Sequence, residues 1–168
     1  MLWLDLETTG LDPVYDSILE VAAIVTDEQF HETAHFQRVM SYSGPMCEWC
    51  IKQHGASGLT EEAADPHQSD PLEVVERDLM DWVKDNCPDT PTLAGSSIHF
   101  DRSFIRQHFP RLISKLHYRL FDVSTVKRLY TGILSSKPYK KKETHRALDD
   151  IRESLAELRY YLRNCKHD

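Results

Sequence analysis

The chain opens on an alternation that a β-sheet can accommodate in few ways. Leu2, Leu4 and Leu6 fall on one face of an extended segment and Trp3, Asp5 and Glu7 on the other, because side chains along a strand point alternately to opposite faces. Three leucines in a row call for burial of the first face, and the indole of Trp3 calls for burial of the second. Asp5 and Glu7 thus share a face with a tryptophan, where carboxylates repel one another and are costly to desolvate. The Asp-x-Glu spacing taken alone fits two ordinary acids on an exposed strand; the companion tryptophan weighs against that.

The rest of the chain supplies a sheet for this strand. A turn at Thr8-Thr9-Gly10-Leu11-Asp12-Pro13 leads into an apolar, β-branched run over 17–26 and a third candidate strand over 30–40, and such short connections predict an antiparallel meander. Residues 41–69 scatter Gly, Pro and Ser around a short helical candidate at 47–54. A better-signed helix follows, with Asp70 as N-cap, Pro71 in the first position, Glu73 at capping-box spacing, and Val74, Val75, Leu79, Trp82 and Val83 as its apolar stripe. Residues 92–95 read as a short buried strand, a helix begins near Asp101 and is interrupted by Pro110, and 119–123 is another strand. Ser124 is placed to cap a short helix to about 130, a lysine-rich loop covers 135–143, and a long helix runs over 145–164. Strands first in a meander and then alternating with helices predict an α/β sandwich. Its mixed sheet would have about five strands, antiparallel and then parallel, flanked by helices. At 168 residues with 40% hydrophobic content, one core in one domain spanning 1–168 suffices.

No apolar stretch approaches the roughly 20 residues a membrane span needs, so we expect a soluble protein without membrane contact or a targeting segment. It would work in the cytoplasm, or in mitochondria if a leader has been removed. Cys47 and Cys50 form a close pair, whereas Cys87 and Cys165 supply no matching half-site; ordinary reduced thiols are expected, a zinc or redox role being the alternative. The formal charge of −7 disfavours grip on long nucleic acids, which relies on many Lys and Arg contacts. It does not disfavour a substrate a few nucleotides long held at a metal-neutralised centre.

Two further blocks carry acids, His99-Phe100-Asp101 and His145-Arg146-Ala147-Leu148-Asp149-Asp150. At about 100° per residue, Leu148, Ile151, Leu155, Leu158 and Leu162 form the buried stripe of the last helix. Asp149 falls opposite that stripe, while Asp150 lies at its edge beside Ala147, Ser154 and Tyr161, which makes Asp150 the inward-facing candidate. Hard oxygen ligands with one imidazole nearby are the components of magnesium-assisted phosphoryl transfer.

The order Asp-x-Glu, Asp, His-x4-Asp resembles the DEDDh group of 3′-to-5′ exonucleases, which have a ribonuclease H-like fold. More narrowly, Trp3-Leu4-Asp5-Leu6-Glu7-Thr8-Thr9-Gly10-Leu11-Asp12, Ala56-Ser57-Gly58-Leu59, Leu93-Ala94-Gly95-Ser96-Ser97, Leu116-His117-Tyr118-Arg119, Phe121-Asp122-Val123-Ser124-Thr125 and the block from His145 to Ser154 resemble the oligoribonuclease family along essentially the whole chain. The resemblance implies that Asp5, Glu7, Asp101 and Asp150 bind two Mg²⁺ or Mn²⁺ ions and that His145 is the general base. It places Leu11 and Trp49 against substrate bases, although a tryptophan judged on its own belongs in the core. It places Ser97, Tyr118, Arg119, Ser124 and Thr125 around a terminal 5′ phosphate, with Tyr118 reaching the site of the second subunit in a homodimer. The implied substrates are short single-stranded RNAs, dinucleotides to about pentanucleotides, cut to 5′-mononucleotides in the last step of RNA decay; the alternative is a DEDDh enzyme for longer RNA or DNA 3′ ends. Thr8 stands where the family usually has Met, Ser96 where Asn is common, and Phe100 where a polar residue is common, which bears on sugar contacts and leaves every ligand in place. The basic run Lys137-Pro138-Tyr139-Lys140-Lys141-Lys142 reads as a solvated loop, with phosphate attraction as the alternative.

Overall fold

In the computed structural model, which describes residues 1–134, 137–142 and 145–164, three strands come first: β1 (Leu2–Thr8), β2 (Ile18–Thr26) and β3 (Glu32–Val39). They pair antiparallel, with Leu2 opposite Val25 and Glu20 opposite Val39. Two short helices, α1 (Glu48–Ala56) and α2 (Leu59–Ala64), and a longer one, α3 (Leu72–Asn86), precede β4 (Leu93–Gly95). Then come α4 (His99–His108), α5 (Pro110–Lys115), β5 (Leu120–Asp122), α6 (Val123–Arg128), a π-helical turn (Leu129–Ile133) and α7 (Ala147–Asn164). The sheet order is β3-β2-β1-β4-β5, with β4 parallel to β1 and β5 parallel to β4. The five-stranded mixed sheet flanked by helices matches the expected sandwich.

The opening alternation separates the two layers of the core. Leu2, Leu4 and Leu6 pack with Val75, Leu79, Phe104 and Leu112 from α3, α4 and α5, whereas Trp3 packs with Ala147, Leu148, Ile151 and Leu155 of α7. Trp3 is fully buried, and its indole N–H donates to Thr26 Oγ1 at 3.1 Å. β2 is buried along its whole length because helices cover both of its faces.

Two helix caps and one stripe position differ from expectation. Asp70 is not the cap of α3: its N–H donates to Val39 O and its carbonyl accepts from Ser41 N, which ties it to the sheet and leaves Pro71 as N-cap. Ser124 does not cap α6; the Asp122 carboxylate does, accepting from Ser124 N at 2.8 Å. Leu162, assigned to the buried stripe of α7, is 49% exposed and lines a surface groove with Phe30 and His31 at the far end of the helix.

Candidate active site

Parallel strands place their C-terminal ends together, and in open α/β sheets that edge gathers ligands. β4 is short, pairing with β1 only at Leu2 and Trp3, so the half of β1 that bears the acids runs beyond it. A Cβ on Gly95 would stand 3.0 Å from the Leu4 carbonyl and 2.8 Å from Ile98 Cδ1; glycine there lets β4 press against β1 before the chain turns into α4. The first turn of α4 then delivers Asp101, which is buried and accepts the Leu6 N–H at Oδ1, 3.0 Å away. A side chain takes the ladder position where the neighbouring strand has ended.

On the Trp3 face of β1, Asp5 and Glu7 meet Asp150 from the first turn of α7, and a carboxylate oxygen from each lies within 4.8 Å of the others. Asp149 is exposed and its nearest cation is Arg152 at 3.9 Å, so the helical-wheel choice of Asp150 over Asp149 agrees with the geometry. Burial, reinforced by Asp101, Glu7 and Asp150, raises the Asp5 carboxyl well above its usual range. Burial and the charges of Asp150, Glu20 and Asp101 push Glu7 up to about 8, against an opposing pull from Arg146. Asp101 is pushed up to about 7 by burial, partly offset by the backbone N–H groups it accepts. Such a group cannot be fully ionised without a compensating charge, and an all-oxygen donor set fits hard divalent cations.

The sign of the pH dependence follows. Between their ordinary values of 4.5 and 3.8 and the raised values of about 8 and about 7, Glu7 and Asp101 hold protons in the folded, metal-free protein that the unfolded chain releases. This contribution is complete at low pH and is lost as pH rises through the raised values. In EDTA the protein is expected to melt about 5 °C or more higher at pH 5.5 than at pH 8.5, and saturating Mn²⁺ to remove the difference; thermal melts in the four conditions check this.

His145 precedes α7 with φ +52°, a left-handed conformation that costs a non-glycine residue about 1–2 kcal/mol. The ring is half-buried, and its charge disfavours protonation of His54 after burial has already lowered that group. His54 was not singled out from the sequence. It is 2% exposed, its Nε2 lies 2.9 Å from Thr8 O, and its Nδ1 is 3.7 Å from Glu7 Oε2. Glu20 was also missed, although a lone carboxylate inside the apolar run of β2 was a visible signal; it is fully buried and stands opposite Glu7 in the β1–β2 register.

The residues expected around substrate fall into three groups. Leu11 is 77% exposed on the β1–β2 turn and Trp49 is 58% exposed on α1, which overturns the core reading of that tryptophan. α1 is fastened to β1 by the Cys50 thiol, donating to Thr9 O at 2.9 Å, and by the His54 contact to Thr8 O. Ser97, with φ +57°, and Ser124 both donate backbone N–H groups to Asp122 Oδ1, which brings them together with Thr125 beside them. Tyr118 and Arg119 lie at the opposite, N-terminal end of β5 and stack on one another, the guanidinium 5.2 Å from the ring centre.

Cys47 caps α1 by accepting Cys50 N at 3.4 Å, and Cys47, Cys50 and Cys87 are free thiols. Cys165 lies outside the described residues, as do 135–136 and 143–144 at the ends of the basic loop. The loop is not simply solvated. Lys141 Nζ donates to Ser154 Oγ at 3.0 Å and pairs with buried Glu157 at 3.2 Å, and its charge favours ionisation of Asp5.

The RNase_T exonuclease family model matches residues 2–158. The oligoribonuclease of Francisella tularensis subsp. tularensis strain WY96-3418 is 39% identical over 167 residues, covering 96% of this chain and 93% of that protein. The chain belongs to the oligoribonuclease family. A second oligoribonuclease, the mitochondrial protein of Saccharomyces cerevisiae, is 37% identical over 182 residues, 98% of this chain and 66% of that one. Among solved structures, E. coli exonuclease I in complex with a dT13 oligonucleotide superposes with a TM-score of 0.72 at 16% identity, covering 98% of this chain and 40% of that chain. Exonuclease I of Methylocaldum szegediense gives 0.73 at 16% identity, again over 98% of this chain and 40% of that one. These place the oligoribonuclease-family chain in the ribonuclease H-like fold. Among the described residues, no helix is long and apolar enough to cross a membrane.

Proposed function

We propose that this chain is a metal-dependent 3′-to-5′ exoribonuclease that hydrolyses short oligoribonucleotides, dinucleotides above all, to 5′-mononucleotides. The observation that carries the reading is the convergence of Asp5, Glu7 and Asp150 from the two ends of the sequence, with their carboxylate oxygens within 4.8 Å. Asp5, Glu7, Asp101 and Asp150 would hold two Mg²⁺ or Mn²⁺ ions; with Oδ1 committed to the Leu6 N–H, Asp101 offers its other oxygen. Bound divalent cations would supply charge neutralisation of the scissile phosphate and a lowered cost for the developing negative oxygen.

The chain's own residues do the remainder. His145 takes the proton of the attacking water at a ring nitrogen, the general-base work an imidazole can do. Leu11 and Trp49, both exposed, offer an aliphatic wedge and an indole face to the bases, contacts that any base satisfies. The backbone turn that Asp122 holds at Ser97 and Ser124 supports a role for the Ser97, Ser124 and Thr125 hydroxyls in holding the terminal 5′ phosphate, which would close the site to longer chains. Tyr118 and Arg119 sit at the other end of β5 from that turn, which supports their serving the site of a second copy in a homodimer. A cytoplasmic setting, or a mitochondrial one, suits this role.

The test compares turnover of a 5′-labelled RNA dinucleotide with that of a single-stranded RNA 20-mer, each with and without EDTA. The dinucleotide is expected to be consumed at least about tenfold faster, and EDTA to stop both reactions. Preference for the 20-mer, or for a DNA 3′ end, would replace this reading with the longer-substrate exonuclease.

A further inference from the structure

Arg146 is the best-bonded side chain near the site, and the helix it introduces has no use for its charge. A cation at a helix N-terminus is unfavourable. Its bonds go elsewhere. One edge of the guanidinium meets buried Glu20, with Nε at 3.1 Å and Nη2 at 2.9 Å from Oε1. The other edge meets Glu62 of α2 in a fork, Nη1 to Oε1 and Nη2 to Oε2, both at 2.8 Å, and Nη1 also reaches the Ser57 carbonyl at 3.4 Å. Glu20 accepts in addition the Ala147 N–H at 2.9 Å and the Gln37 side-chain amide at 2.6 Å. A carboxylate on β2 therefore caps α7 from across the fold and fixes two consecutive residues, Arg146 by its side chain and Ala147 by its backbone. Directly before them stands His145 in the left-handed region.

We propose that the Glu20–Arg146–Glu62 clamp holds His145 in its reactive orientation, which makes Arg146 and Glu20 positioning residues for hydrolysis. Among the described residues, no hydrogen bond or ion pair of His145 selects its left-handed turn; fixing the two following residues removes the alternatives. Because Glu20 faces Glu7 across the β1–β2 pair, the same clamp references the imidazole to the strand that carries the acids. A bidentate guanidinium fork gives directional restraint that an ammonium point charge lacks. This inference rests on His145 being the base.

The test is a double-mutant cycle on dinucleotide hydrolysis with Arg146→Gln, Arg146→Lys, His145→Ala and the combinations. Arg146→Gln is expected to lower kcat about 30- to 100-fold, the scale of a small misplacement of a reacting group, with KM and Mn²⁺ affinity by calorimetry within about twofold of the parent. Arg146→Lys is expected to recover only part of the loss. In the His145→Ala background Arg146→Gln is expected to lower kcat by less than about twofold, the non-additivity of residues acting through one another. An equal loss in both backgrounds, a loss confined to KM, or unchanged kcat in Arg146→Gln would overturn the proposal. Should leaving Glu20 unpaired prevent folding, Glu62→Gln removes only the outer fork; about a three- to tenfold loss in kcat is expected there, again absent beside His145→Ala, and unchanged kcat or an equal loss in both backgrounds would overturn it. Unchanged kcat in His145→Ala alone would instead defeat the base assignment, and the clamp's role with it.

Discussion

Asp150→Asn is expected to abolish dinucleotide hydrolysis while raising the melting temperature of the metal-free protein. Asp150 shares a 4.8 Å carboxylate cluster with Asp5 and Glu7, and after burial it is the largest influence raising Glu7. Removing its charge deletes a proposed cation ligand, a loss of about 4 kcal/mol or more in transition-state stabilisation and so about a thousandfold in rate. It also relieves like-charge repulsion; about 1 kcal/mol of relief would raise Tm by roughly 2–4 °C in a domain of this size. Asp149→Ala is the matched control. That side chain is exposed and its pairing with Arg152 is loose, at 3.9 Å, so activity is expected within about twofold of the parent. Hydrolysis assays with thermal melts in EDTA check both variants, and the opposite pattern, Asp150→Asn active and Asp149→Ala dead, would exchange the roles of the two neighbouring acids.

His145→Ala should behave differently from a ligand variant. Its loss is expected to lower kcat by about 10²- to 10⁴-fold, the usual contribution of a general base, with Mn²⁺ affinity unchanged, since the carboxylate oxygens proposed to hold the cations remain. Stability has its own signature, because alanine inherits the unfavourable φ of +52°. His145→Gly should melt higher than His145→Ala if relief of the strain, about 1 kcal/mol, exceeds the flexibility that glycine adds to the unfolded chain. Calorimetric Mn²⁺ titration beside steady-state kinetics separates the two classes; a His145→Ala protein that has lost cation affinity would make the imidazole a ligand.

Periodicity was legible wherever a segment meets the core over several turns. The alternation in Leu2–Thr8 assigned Trp3 and the leucines to opposite layers, and the 100° rotation along α7 separated Asp150 from Asp149. Legibility failed where one long-range bond decides the outcome. Asp70 has the composition of a helix cap, yet its backbone pairs with Val39 and Ser41; Asp122 outcompetes Ser124 because its carboxylate serves Ser97 N as well. Trp49 reads as core by composition, but α1 is fastened through Cys50 and His54, which leaves the indole outside. Glu20 and Arg146 are separated by 126 positions, and nothing local to either announces the pairing.

The fastening of α1 has a mechanical consequence. Its hydrogen bonds end on the carbonyls of Thr8 and Thr9, the residues directly after Glu7. If the indole takes a base and Glu7 a cation, as proposed, displacement of α1 would be felt at the backbone beside that carboxylate, and recognition would be tied to cleavage.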